Sequence, residues 1–514
     1  MKLDLEPGSR SSIFGHDVVV CGRPLGKATA IWLGLTCTRR VRQATVEECL
    51  LSALAVDLTL EALNEESYAA TTAGLAYTLS CTARGYVISA AGFSHKCPDL
   101  TLRVCAALVD TIIRPIDRAL FERSVAKMTL GLRNSGHTAA ARARQARLQC
   151  LESPHYSPAD QLAALPKLTP QMLEAYLTDE FDLSSDTGSA LHVTAFACGN
   201  LDASEALKFY QSALTALRVT QSTEPLPPAA AAPPLAAAGA SGVVATEPWR
   251  AVPPHVAGGL MAEGCVILPS QPARHYRVVS ATNKEETNRA VELYWQLGPV
   301  SFALAAKVEL LVHLMWEPIF NRLRTKEQLG YSVGCSVRNT HGVLGFAIDV
   351  TTGQASPAHV EARAMRFLRR FLPTIGRMRP ATYAANVSAC VSSMLRDDHS
   401  LADESDRLLA EIASRQYVFD RAEREAAAMR SVTQAELATW ARSALLREGT
   451  RSLSIHAHEG AVTEPHALPA PRTPSGVVAA VALAQPEAFK AGLPIWRQAD
   501  RPMPSVTPVV AERA

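Results

Sequence analysis

The chain repeats itself. Leu75–Thr82, LAYTLSCT, matches Leu329–Ser336, LGYSVGCS, in identity or side-chain type at every position, at an offset of 254 residues in a chain of 514. The flanking segments keep one order in both copies. A strand-like ATAIWLGLTC at 28–37 corresponds to NRAVELYWQLG at 288–298, and an apolar-periodic helix precedes each motif. Beyond it come GYVISAAGF (85–93) or GVLGFAIDV (342–350), then helical runs at 99–113 and 357–373 and at 118–134 and 380–396. A late strand closes each copy, ALHVTAFACGN (190–200) or RSLSIHAHEG (451–460). Repeat units this long are duplicated domains, since a solenoid stacks much shorter ones. The order β-α-β-β-α-α…β predicts an α+β fold of two homologous α/β-sandwich domains, each a mostly antiparallel sheet with helices on one face.

The low-complexity stretch Pro225–Gly242, PLPPAAAAPPLAAAGASG, separates the copies. Proline breaks helix, and alanine and glycine bury little surface, so no packed core forms there. The predicted division is therefore a first domain at 1–220, an Ala/Pro-rich linker at 221–247, a second domain at 248–475 and a C-terminal tail at 476–514. A chain with 48% hydrophobic and 19% charged residues reads as soluble and globular. Its net charge of +2 gives no footing for a nucleic-acid or membrane partner. The eleven cysteines form no C-x-x-C pair, and MKLDLEPGSRSSIFG lacks the apolar core of a signal peptide. Reduced thiols and a cytoplasmic location are expected.

Residues 321–334, NRLRTKEQLGYSVG, concentrate the polar chemistry. Upstream, Phe302, Ala305, Val308, Leu311, Met315, Ile319 and Leu323 make a helical stripe that Pro318 should kink or restart. Downstream, Tyr331, Val333, Cys335 and Val337 share one face of a strand. Two readings fit. In one, basic charges favour a helix C-terminus and the tyrosine hydroxyl finds a buried partner. In the other, Arg324 and Tyr331 face one cavity as donors for peptide carbonyls or for an oxyanion developing on one. The first copy is a built-in comparison: it keeps the tyrosine as Tyr77, but ESYAATTAGLA has no counterpart of the Arg-Thr-Lys-Glu-Gln set.

LRTKEQLGY closely resembles a signature of the C-terminal half of the insulinase (pitrilysin-like) zinc metallopeptidases. LNEESYAATTAGLAYTL (63–79), QYVFDRAE (416–423) and FKAGLPIW (489–496) resemble further segments of that half, in the same order. The resemblance implies a clam-shell enzyme in which four homologous α+β domains form two halves around a peptide chamber, with the third and fourth domains here. It implies that Arg324 and Tyr331 reach the active site of the other half, bind the substrate backbone and support the transition state, and that Phe320 lines the same pocket. Such enzymes bind zinc through H-x-x-E-H and a distant glutamate. None of the fourteen histidines begins H-x-x-E-H or H-E-x-x-H, and the resemblance places that motif in the family's first domain. The expectation is a half-enzyme that binds peptides and closes a chamber over zinc held by an N-terminal half, in cis or in trans. The chain itself would hold no metal and would not hydrolyse peptides alone. The alternative is a non-catalytic peptide-binding or regulatory subunit, a pseudo-peptidase.

Other candidates are weaker. His456 and His458 share a strand face but have no third ligand in view. Arg123, Lys127, Arg133, Arg142, Arg144 and Arg147 lie in a run, 123–151, that contains glutamate or aspartate nowhere between Arg123 and Leu151. That run reads as a solvated helix face or as a basic chamber wall attracting acidic peptides or polyphosphate. No nucleophile elbow, phosphate loop or dinucleotide fingerprint occurs.

Overall fold

A computed structural model of the chain describes residues 17–219 and 263–497, with breaks at 23–27, 38–43, 83–84, 182–190, 202, 271–273, 282–284, 415, 461–471, 474–475, 478–479 and 484. The expected linker at 221–247 and the end of the expected tail, 498–514, lie outside the described residues.

The first half runs β1 (Asp17–Gly22), β2 (Ala28–Cys37), α1 (Val46–Thr72), β3 (Ala76–Thr82), β4 (Gly85–Phe93), α2 (Cys97–Ile113), α3 (Arg118–Asn134), α4 (Ala139–Leu151), β5 (Glu152–Ser153), α5 (Pro158–Ala164), α6 (Pro170–Phe181), β6 (Leu191–Gly199) and α7 (Ala203–Ala216). The second runs β7 (Gly264–Val266), β8 (Arg274–Ser280), β9 (Arg289–Pro299), α8 (Phe302–Ile319), a π-helix (Phe320–Lys326), β10 (Ser332–Thr340), β11 (Val343–Thr352), α9 (Pro357–Ile375), α10 (Pro380–Met394), α11 (Leu401–Ala413), α12 (Arg421–Ser431), α13 (Gln434–Leu446) and β12 (Ser452–His458). Helix starts follow from local sequence. Thr45 and Glu48 form a capping box at α1, and Ser301 and Ser356 cap α8 and α9.

The duplication is visible in the sheets. The first has the order β1-β6-β2-β4-β3, and the second has β8-β12-β9-β11-β10, strand for strand the same. Within each, the β1–β6 or β8–β12 pair is parallel and the others are antiparallel. Ala480–Ala482, inside the expected tail, adds one more strand beside β8. The strands β1 and β8 and this extra edge strand are additions to the elements read from sequence.

Strand alternation sends each sheet's side chains to two buried faces. In β2, Ile31, Leu33 and Leu35 join α1 and α2 in the first core. In β9, Val291, Leu293 and Trp295 join α8 and α9 in the second. The opposite faces are covered by an exchange of helices between the halves. From the first half, α4 lays Ala139, Ala143, Ala146 and Cys150 on Ala290 and Tyr294 of β9 and on Leu453, Ile455 and Ala457 of β12. From the second, α11 lays Leu408 and Ile412 on Phe196 and Cys198 of β6, with Trp32 of β2 alongside. Small residues on α4 let that helix approach the sheet closely.

Charge is buried in this exchange. Arg147 of α4 donates through Nε to Glu292 Oε1 of β9 at 2.8 Å, with both side chains under 5% exposed. Arg338 of β10 approaches the same oxygen at 3.4 Å and donates to Asp349 Oδ2 at 2.8 Å. A small sheet also crosses the halves: Glu152–Ser153 pairs with β7, which pairs with Ile495–Trp496. Lys490 Nζ donates to the Glu152 carbonyl at 3.1 Å, so the FKAGLPIW segment ties the end of the described chain to both halves.

Candidate functional site

The signature segment begins on α8. Ala305 is buried; Val308, Leu311, Met315 and Ile319 are buried in the second core, and Leu323 continues that stripe into the π-helix. The chain does not break at Pro318. It stays helical through the proline and widens to a π-helix at Phe320. Proline supplies no N–H and its ring crowds the preceding turn; a wider turn follows directly. Glu327 N–H donates to the Arg322 carbonyl at 3.1 Å and Leu329 N–H to the Leu323 carbonyl at 3.0 Å, closing the wide turns.

An α-helix already brings positions four apart together, and the π turn keeps a third side chain in the same line. Positions four apart drift one way around an α-helix and the other way around the wider π turn. Trp316, Phe320 and Arg324 therefore form one ladder. The Trp316 and Phe320 rings stack at 5.6 Å with 14° between planes, and the Arg324 guanidinium lies 4.8 Å from the Phe320 ring centre. Trp316 is 53% exposed. Among the described residues Arg324 has no carboxylate partner.

After the ladder the chain reverses through Gln328, at φ 50°, and Gly330. A Cβ on Gly330 would overlap the Thr351 carbonyl oxygen. That same oxygen accepts from Tyr331 N–H at 3.1 Å, so only glycine lets the strand seat Tyr331 at this point. Val333 and Cys335 are buried on the strand face that Tyr331 begins, but Tyr331 lies past the edge of the core and is 57% exposed. Its hydroxyl has no hydrogen-bond partner among the described residues, and it makes no ring contact with the ladder. Tyr77 differs: it is half-buried against the first core. The duplicated tyrosine is thus packed in one copy and presented to solvent in the other.

Of the expected site residues, Phe320 and Arg324 are in direct contact, and Tyr331 stands apart on the strand that follows. Trp316 was not read from the sequence as part of this site. Its signal was the spacing of four residues before Phe320, on the flank opposite the buried stripe. Arg322 and Glu327 are held in place. Glu327 accepts from Arg322 Nε and from Arg363 Nε at 2.6 Å each. The Arg363 guanidinium, with Arg322 beside it, holds the Glu327 carboxyl below its ordinary range.

The basic run does not form one wall. Arg142 and Arg147 are buried between the halves, Arg142 donating to the carbonyls of Gly136, His137 and His458. Lys127 is tied to Asp57 and Glu61. Arg123, Arg133 and Arg144 are exposed with no carboxylate partner among the described residues. Burial of Arg142 and Arg147 overturns the chamber-wall reading for those two. His456 is buried too, with Nε2 at 2.7 Å from Glu361 Oε2, while Ser454 donates to the other oxygen at 3.2 Å. Among the described residues no group of three or more His, Cys, Asp or Glu side chains is placed to hold a metal ion.

Residues 30–164 match the family described as the middle or third domain of peptidase M16, and residues 310–409 match the PQQ synthase PqqF-like, C-terminal lobe domain 4 family. A nardilysin-like protein of Arabidopsis thaliana is 28% identical over 400 residues, covering 77% of this chain and 35% of that protein. Human insulin-degrading enzyme is 26% identical over 411 residues, covering 80% of this chain and 36% of its own length. The chain thus spans about a third of the length of these relatives. The crystal structure of pitrilysin superposes with a TM-score of 0.71 at 16% identity, covering 94% of this chain and 46% of that one.

Proposed function

Because the chain carries the sequence and the fold of the C-terminal half of the insulinase (M16) peptidase family, we propose that it is the peptide-gripping half of a zinc metalloendopeptidase, acting with a zinc-bearing N-terminal half in the same or a separate polypeptide. The observation that carries this reading is the exposure of two donors, Arg324 and Tyr331, that have no partner among the described residues, while neighbouring Arg322 and Glu327 are paired. The Arg324 guanidinium, braced on the Phe320 ring, donates to substrate carbonyls. The Tyr331 hydroxyl donates to the oxygen on which negative charge develops as the peptide bond is attacked. Phe320 offers an apolar surface to a substrate side chain. Zinc supplies the activated water in such enzymes, and no residue of this chain is assigned to it.

The test is reconstitution. The full chain is mixed with the zinc-bearing half of a related peptidase and assayed on a fluorogenic peptide. Cleavage is expected to rise above that of the zinc half alone. Arg324→Ala and Tyr331→Phe should each lower it about 10²-fold, the usual loss for one transition-state donor. Peptide binding that depends on Arg324 and Tyr331, without any gain in cleavage, would establish the non-catalytic peptide-binding role instead. Neither binding nor a gain refutes both.

A further inference from the structure

A second recess lies on the other flank of the signature helix. Positions two apart on a helix face away from each other, so Arg322 points away from Arg324, about a helix diameter, ~10 Å, across. There, Arg322 and Glu327 meet Arg363, Arg366, Phe367, Arg370 and Phe371 of α9 around a cavity of about 220 Å³. Four guanidinium groups share this space with one carboxylate. Glu327 satisfies Arg322 and Arg363. Arg366 and Arg370 are exposed and have no carboxylate partner among the described residues. Like charges four apart on one helix repel, so Arg366 and Arg370 destabilise α9 unless a second anion joins them.

The remaining wall is apolar. Phe367 and Phe371 stack at 5.3 Å with 12° between planes. An inorganic anion would use the arginines and leave this wall idle. The volume is below the roughly 300–1,000 Å³ of a site for a whole small molecule, and suits the end of a chain. An arginine fork matches a carboxylate in two-point geometry.

We propose that this cavity binds the free C-terminal carboxylate of a peptide between Arg366 and Arg370, with the terminal residue's apolar side chain against Phe367 and Phe371. The inference rests on the reading of this chain as a peptide binder, and adds that one class of ligand is recognised by its end.

The experiment measures binding of N-acetyl-Gly-Gly-Leu-Phe to the full chain, with a free C-terminus and as the C-terminal amide. The free acid is expected to bind about tenfold tighter or more, as when a charge-assisted hydrogen bond is lost on amidation. Arg366→Gln with Arg370→Gln should abolish that difference. Arg369→Gln, one exposed charge removed from the same helix outside the cavity, should preserve it. Equal binding of acid and amide, still weakened by Arg324→Ala, overturns the cavity assignment and leaves the proposed function standing. Inorganic phosphate displacing the peptide at equal concentration also overturns it, since a bare anion would then suffice. Binding of neither peptide refutes the cavity and the peptide-binding role together.

Discussion

Replacing Arg147 by methionine should destabilise the folded chain by about 3–5 kcal/mol, the usual cost of leaving one member of a buried ion pair alone. Arg147 Nε and Glu292 Oε1 are 2.8 Å apart, and the two side chains are 4% and 3% exposed. Without the arginine, Glu292 keeps only Arg338 at 3.4 Å, a group already donating to Asp349 at 2.8 Å. That residual attraction puts the expected loss at the lower end, about 3 kcal/mol. Methionine is unbranched and of similar reach, so packing over the Tyr294 ring, now 5.5 Å from the guanidinium carbon, is largely kept. The loss is then electrostatic, and a double-mutant cycle isolates it. Urea unfolding at pH 7 would be followed for the wild type, Arg147→Met, Glu292→Gln and the double variant. The double variant should be more stable than the sum of the single losses predicts, since replacing both partners by neutral groups of like volume is often nearly neutral. An Arg147→Met protein within 1 kcal/mol of the wild type, or a strictly additive double variant, refutes the reasoning.

Gly330→Ala drives a methyl group into the Thr351 carbonyl and loses the Tyr331 N–H bond to it, so about 2–4 kcal/mol of stability should go; an unchanged melting temperature would contradict the role given to that glycine. Trp316→Ala removes a half-exposed ring from the ladder and should leave stability within ~0.5 kcal/mol while weakening peptide binding about fivefold, whereas Trp316→Phe should retain most of it. Glu152 is pushed up by burial but held down more strongly by the hydrogen bonds of His155 and His341, to about 2. A depressed carboxylate stabilises the fold above its unfolded value and loses that contribution as the pH falls, here from about 4.5 to about 2. Thermal melts of Glu152→Gln should therefore fall less steeply with acidification than those of the wild type, and parallel curves would rule this out.

The sheets were legible because each depends on features that a sequence displays: alternation in 28–37 and 288–298, a helix before each hairpin, and the repeated tyrosine motif. Arg324, Phe320 and Tyr331 are proposed as site residues on a resemblance, since helical periodicity alone equally allows a solvated helix end. The strand β8, RHYRVVS, was missed because an arginine and a histidine interrupt its apolar pattern. The helix α4 was misjudged through its arginines, which composition assigns to the surface. The better signal was the alanine spacing at 139, 143 and 146, a smooth stripe fit for close contact, beneath which Arg142 and Arg147 are buried. That contact joins residues more than 140 apart and has no local signature. Trp316 lies off the buried stripe, and an exposed aromatic residue on the opposite flank obeys no core periodicity.

The exchange of α4 and α11 bears on how such a molecule can move. Sliding the halves past each other would pull a helix off a sheet at two places at once, and would strip Glu292 of its arginine. Packed cores resist gradual deformation of this kind. The boundary between these two halves therefore offers no hinge. They travel as one plate, and in the proposed two-half peptidase the joint that bends would lie between that plate and the zinc-bearing half.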